Sequence, residues 1–234
     1  FERVLDFDSS KSNAAVMVNN VDWLEKLGFL EVLRDVGKHF SVNAMIQKDS
    51  VRDRLENREQ GISYTEFSYM LLQAYDFLHL RRNHDCTLQI AGSDQYGNIV
   101  CGIDLIRRDM IDQSEDEPRG YGITGPLVTK ADGTKFGKSE SGAVWLTAER
   151  TSPYAFYQFW LNASDEDAGK YLRFFTFLDR DAIEDVEARH AEKPHERLAQ
   201  RVLAEEVTRM IHGPDELDRA QAAAGALFGG DISG

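Results

Sequence analysis

The run Thr87-Leu88-Gln89-Ile90-Ala91, followed by Gly92-Ser93-Asp94 and then a helical stretch from about Gln95 to Met110, narrows the fold more than any other segment. A short apolar run bounded by a glycine turn reads as a buried strand, and this turn hands the chain directly to a helix. Strand, turn and helix in that order build an open parallel sheet, whose ligands bind beyond the carboxyl ends of the strands. The preceding elements fit a mixed α/β domain. Asn20-Val21-Asp22-Trp23-Leu24-Glu25 opens a helical stretch that Leu30 to Val36 continues, a second covers Val42 to Leu55, and a strong helix follows from Thr65 to about Leu80. From Thr151 onward the pattern is helical throughout. Ser152-Pro153 reads as a cap with proline at the first helical position, and Ser164-Asp165-Glu166-Asp167 as an acidic helix start. Further helices are expected from Asp181 to His190 and from Pro194 to Ile211, the last stopped by Gly213-Pro214. The shift in pattern between residues 125 and 150 divides an α/β part, 1–125, from a helical part, 126–234.

A stretch of 234 residues, 42% hydrophobic and 29% charged, can bury a substantial core. No apolar run approaches bilayer-spanning length, and Phe1-Glu2-Arg3-Val4 lacks the layout of a secretory signal, so the cytoplasm is the expected compartment. The two cysteines, Cys86 and Cys101, form no ligand cluster, and the six histidines are scattered, so neither a disulfide framework nor a metal site is expected. A net charge of −13 excludes a protein that coats nucleic acid non-specifically and leaves room only for local RNA contacts. The chain opens without methionine and ends on Gly229-Gly230-Asp231-Ile232-Ser233-Gly234, and is read as a piece of a longer protein.

Two stretches carry chemistry. Lys135-Phe136-Gly137-Lys138-Ser139 pairs two lysines across a turn with a hydroxyl and a glycine. Cations on such a loop suit a reaction in which charge grows on leaving pyrophosphate. A P-loop is excluded by spacing: it needs a glycine where Asp132 stands, and Gly133 is one position too late. The preceding Leu127–Gly133 reads as a short strand and an Asp-Gly turn. The second stretch is the helix face of Tyr69, Gln73 and Asp76, spaced i, i+4 and i+7. Apolar neighbours surround that polar stripe, so its members either satisfy one another and nearby backbone or are completed by a polar ligand. In Gly92-Ser93-Asp94-Gln95, the glycine permits close backbone approach, and Asp94 and Gln95 project from the first turn of a helix, where a carboxylate can bind the paired hydroxyls of a ribose or an ammonium.

Tyr69-x-x-x-Gln73-x-Tyr75-Asp76, Gly92-Ser93-Asp94-Gln95-x-Gly97-Asn98-Ile99 and Lys135-Phe136-Gly137-Lys138-Ser139, in this order, resemble three motifs of bacterial tyrosyl-tRNA synthetases. The third is similar to the Lys-Met-Ser-Lys-Ser loop of class I aminoacyl-tRNA synthetases. The resemblance implies a class I Rossmann-like catalytic domain followed by an α-helical domain on the anticodon side. It implies activation of L-tyrosine with ATP and transfer to tRNA(Tyr). By motif, Tyr69 and Gln73 would hold the substrate ammonium, Asp76 the phenol, and Gln95 would line the tyrosine site, with Asn20 of the Asn-x-x-Trp segment nearby. Gly92 and Asp94 would contact the adenylate. Lys135, Phe136, Gly137 and Lys138 would form the ATP loop, with Lys135, Lys138 and Ser139 as its catalytic members. Magnesium would arrive with ATP rather than at a dedicated protein site. The family also implies a homodimer, with Tyr64 and Phe67 near the interface. Ala91 and Tyr96 stand where the family has glycine and tryptophan. The match covers nearly all of this chain but only the middle of the family's length; the His-Ile-Gly-His-like region and the C-terminal RNA-binding domain are expected to be missing, and the 234 residues alone to be inactive. A tryptophanyl-type enzyme and a catalytically silent RNA- or protein-binding paralogue are the alternatives; the carboxylate of Asp76 favours a phenol over an indole.

Overall fold

The structure is a computed structural model, and it describes residues 1–48, 51–52, 55–56, 61–109, 120–134, 136–137 and 144–228. The chain divides into two compact units, Met17–Leu127 and a helical unit that joins Phe1–Val16 to the residues from Val128 onward.

The α/β unit begins with short pieces: α1 (Val21–Leu24), α2 (Phe29–Glu31), a π-turn at Val32–Val36, a 3-10 turn at Gly37–His39, and α3 (Val42–Ile46). The single stretch expected from Asn20 to Val36 is interrupted because Gly28 is extended, with φ −71° and ψ 139°. The helix expected from Val42 to Leu55 closes at Ile46, where the Gln47 N–H caps the Asn43 carbonyl; residues 51–52 and 55–56 are helical again. Helix α4 (Tyr64–His84) starts on a capping box, in which Ser63 Oγ accepts from the Glu66 N–H and Glu66 accepts in return from the Ser63 N–H. It ends where Asp85 turns left-handed, φ 51°. Its inner face is Met70, Ala74, Phe77, Leu78 and Arg81.

Strand β1 (Leu88–Gly92), a 3-10 turn (Ser93–Gln95), helix α5 (Tyr96–Asp109) and strand β2 (Tyr121–Gly125) form a βαβ unit, as the parallel pairing requires. The register runs from Leu88 opposite Tyr121 to Gly92 opposite Gly125. Helix α4 packs closely on α5 because Gly102 is bare: a Cβ there would stand 2.9 Å from Phe77 Cδ1. Phe77, Leu78, Leu105 and Ile106 form the core between them. Strand β1 is less enclosed than its apolar sequence suggests, since Ile90 is 68% exposed. Strand side chains alternate between faces; the face of Leu88, Ile90, Tyr121 and Ile123 is open, while the Gly122 position lies against Ile99 and Ile103 of α5.

The helical unit contains α6 (Pro153–Leu161), α7 (Asp165–Phe175), α8 (Arg180–Glu192), α9 (Leu198–His212) and α10 (Pro214–Phe228). Ser152, Ser164 and Asp179 cap the first three by accepting from the backbone N–H three residues on. The continuous helix expected from Pro194 is instead a 3-10 turn, Pro194–Glu196, followed by α9, because Arg197 sits at φ 53° and breaks the α geometry. Phe156, Trp160, Leu172, Leu203 and Val207 lie at the centre of its core. Among the described residues, no helix is long and apolar enough to cross a membrane.

Candidate active site

Helix α4 carries Tyr69, Gln73 and Asp76 on one half-buried stripe. The Asp76 carboxylate is held from two sides: Asn20 Nδ2 donates to Oδ2 at 3.0 Å and Trp23 Nε1 donates to Oδ1 at 2.8 Å. Trp23, 9% exposed, is itself fixed by stacking on His79, ring centroids 4.3 Å apart and planes 12° from parallel. Burial holds His79 below the usual imidazole range, with the His84 charge adding to the effect. Both donors to Asp76 are neutral, and a carboxylate offers about four acceptor sites, so lone pairs remain for a third donor.

A second network starts one turn earlier on α4. Asn98, 4% exposed on α5, spends both amide hydrogens, donating to Tyr69 Oη at 3.0 Å and to Gln95 Oε1 at 3.0 Å. Gln95 Nε2 in turn donates to Asp94 Oδ2 at 3.4 Å. Asp94 folds back over the end of β1, where a Cβ on Gly92 would lie 2.8 Å from its Oδ1 and 2.9 Å from Leu127 Cδ2. The polar line Tyr69–Asn98–Gln95–Asp94 therefore ends at the carboxyl end of a parallel strand, where such sheets take their ligands. Among the described residues, nothing bonds the Gln73 amide.

The structure thus brings Asn20 to Asp76 and Tyr69 to Gln95. Sequence reasoning gave no role to Trp23, Asn98 or His79. The first two stand inside the Asn-x-x-Trp and Gln-x-Gly-Asn motifs, and that membership was the available signal.

In the helical unit, Val128–Lys130 pair with Thr134 and Phe136 in a hairpin: the Phe136 N–H donates to the Val128 carbonyl at 3.1 Å, and the Lys130 N–H to the Thr134 carbonyl at 2.8 Å. The Gly133 N–H closes the turn on the Lys130 carbonyl, and Asp132 accepts from the Thr134 N–H and hydroxyl, bonds that hold its carboxyl below the usual range. Lys170 of α7 pins the hairpin, donating to the Thr129 carbonyl at 2.7 Å. The Phe136 ring turns into an aromatic cluster, with centroids 5.1 Å from Tyr171, 5.3 Å from Phe175, 5.7 Å from Trp160 and 5.9 Å from Phe159. Burial, and after it the Asp167 carboxylate, push the Tyr171 phenol up to about 12. Gly137 follows at φ +74°, a conformation glycine adopts without strain. Lys135, Lys138 and Ser139 lie outside the described residues.

A βαβ unit with a polar network at its strand end, together with a lysine-bearing hairpin, has the parts of a class I synthetase fold. The chain belongs to the family of class I tRNA synthetases (W and Y), whose model matches residues 1–229. It is 56% identical over 229 residues to the tyrosine–tRNA ligase of Roseiflexus castenholzii, covering 98% of this chain and 52% of that protein. It is 58% identical over 226 residues to that of Staphylococcus carnosus, covering 97% and 52%. Among solved structures it resembles a C-terminally truncated mitochondrial tyrosyl-tRNA synthetase of Aspergillus nidulans, with TM-score 0.76 and 33% identity over 95% of this chain and 62% of that one. The chain spans about half the length of the curated relatives it matches.

Proposed function

We propose that the protein carrying this chain is a tyrosine–tRNA ligase, which activates L-tyrosine with ATP to tyrosyl-adenylate and pyrophosphate and transfers the amino acid to tRNA(Tyr). The observation that carries the reading is Asp76, a half-buried carboxylate oriented by Asn20 and Trp23 with acceptor capacity to spare. A phenol hydroxyl meets that capacity. Phenylalanine would seal the remaining acceptor sites of the carboxylate from water without a further donor, and leaving such polar capacity desolvated and unmet costs on the order of 1–3 kcal/mol.

In this reading Tyr69 and Gln73 take the ammonium of tyrosine, the open Gln73 amide supporting that role, and Gln95 lines the pocket. Gly92 and Asp94 meet the ribose of the adenylate, and Lys135 and Lys138, with Ser139, stabilise charge developing on the phosphates. Phe136 and Gly137 belong to the same loop; the packed ring supports an anchoring role for Phe136, and Gly137 lets the backbone bend toward phosphate. Magnesium enters as the companion of ATP. Residues 1–125 belong to the catalytic domain and 126–234 to the signature loop and anticodon-side helices; the division of the chain after Leu127 supports a boundary there, although Phe1–Val16 pack with the helical unit. A homodimer in the cytoplasm completes the proposal.

The test is ATP–pyrophosphate exchange by the full-length protein with tyrosine, phenylalanine and tryptophan in parallel. Exchange with tyrosine alone, lost in Lys138→Ala and less selective in Asp76→Ala, is the expected result. Exchange with none of the three by folded protein supplied with magnesium and ATP would sink the reading.

A further inference from the structure

Lys48 lies just beyond α3, and its side chain runs along the first turns of α5: the space a Cβ on Gly97 would fill is 3.6 Å from Lys48 Cδ. Its Nζ donates to the Gly97 carbonyl at 2.6 Å and stands 2.6 Å from Cys101 Sγ. Gly97 and Cys101 are four residues apart, so both contacts fall on one helix face. Cys101 is half-buried, set between the cluster of Met45 and Met70 and that of Phe77 and Leu105, and it forms no disulfide. The sulfur is therefore held in place with an amine nitrogen beside it.

We propose that Lys48 and Cys101 form a peroxide-sensitive covalent switch, a reversible sulfenamide between Nζ and Sγ. Hydrogen peroxide transfers one oxygen to the thiol, giving a sulfenic acid and water, with two electrons passing from sulfur to the peroxide bond. A sulfenic acid condenses with a neighbouring thiol or nitrogen, and the nucleophile placed at this sulfur is Lys48. After the ammonium releases one proton to solvent, Nζ attacks sulfur, the N–S bond forms, the S–O bond breaks, and hydroxide leaves with the second amine proton as water. A dithiol reverses the step by taking the sulfur through a mixed disulfide, freeing the amine and restoring the thiol as the dithiol closes to its own disulfide. The bridge ties the second residue after α3 to the helix that bears Asn98, one turn before Cys101 and the donor shared by Tyr69 and Gln95.

The test is peptide mass spectrometry on the full chain after hydrogen peroxide, with free thiols then alkylated. The expected product joins the peptides of Lys48 and Cys101 at a mass two hydrogens below their sum. It disappears with dithiothreitol, is absent from Lys48→Arg and Cys101→Ser, and persists in Cys86→Ser. Recovery of Cys101 as a sulfinic acid or a dimedone-trapped sulfenic acid, with Lys48 unmodified, would overturn the proposal using wild-type protein alone. So would a cross-link from Cys101 to a different lysine.

Discussion

Trp23 Nε1 donates to Asp76 Oδ1 at 2.8 Å across 53 residues of sequence, and the same indole lies flat on His79. Trp23→Phe keeps an aromatic surface for His79 and removes the donor. Tyrosine-dependent exchange is expected to fall roughly tenfold in kcat/KM, the equivalent of about 1.4 kcal/mol for a lost hydrogen bond to a charged group. The ratio of tyrosine to phenylalanine turnover should narrow with it. Steady-state kinetics with both amino acids checks this, and an unchanged ratio would remove Trp23 from the site.

Gly92→Ala places a methyl within 2.9 Å of both Asp94 Oδ1 and Leu127 Cδ2. Relieving that overlap displaces Asp94 and costs about 1–3 kcal/mol of stability. The expected kinetic effect is a raised KM for ATP with a smaller change for tyrosine. Equal effects on both substrates would argue that Asp94 does not serve the nucleotide.

Phe136→Ala withdraws the ring that four aromatic neighbours surround. Because Phe136 is only partly buried, the loss should be near 2 kcal/mol rather than the ~3–5 kcal/mol of a fully buried phenylalanine. A melting temperature lower by about 4–8 °C is expected. If the ring also anchors the flanking lysines, kcat for exchange falls while KM for tyrosine holds; Phe136→Leu should restore much of both.

His212 packs edge-on against Phe156, centroids 4.8 Å apart, with its Nε2 buried and unbonded among the described residues. Burial holds this imidazole below its ordinary range, Arg3 pushes it further down and Glu216 opposes them. The unfolded chain therefore binds a proton first as pH falls. Stability is fully present above the ordinary imidazole value of ~6.5 and declines below it until the folded protein also takes up the proton. Thermal melts between pH 8 and about pH 5 should show that decline, and it should be shallower in His212→Phe.

The local devices were legible in the sequence because their partners lie within a few residues. Ser152 and Ser164 cap the helices expected of them, and the turn after β1 opens a helix as the Gly92-Ser93-Asp94 pattern implies. What stayed hidden depends on distant partners. Asn98 reads as an ordinary polar helix residue until Tyr69, 29 positions away, is placed against it. The left-handed Arg197 carries no glycine or asparagine to announce it, so the helix after Pro194 looked continuous. Ile90 read as buried because composition reports that a strand is apolar and not which of its faces is covered.

The 2.9 Å approach between the Gly102 position and Phe77 binds two sites 25 residues apart into a single unit of inheritance. A side chain acquired at 102 forces α5 off α4 unless residue 77 shrinks at the same time, and shrinking residue 77 alone leaves a void that costs several kcal/mol. Relatives should therefore change the pair together or keep both, and random mutagenesis should recover a substituted position 102 chiefly alongside a smaller residue at 77.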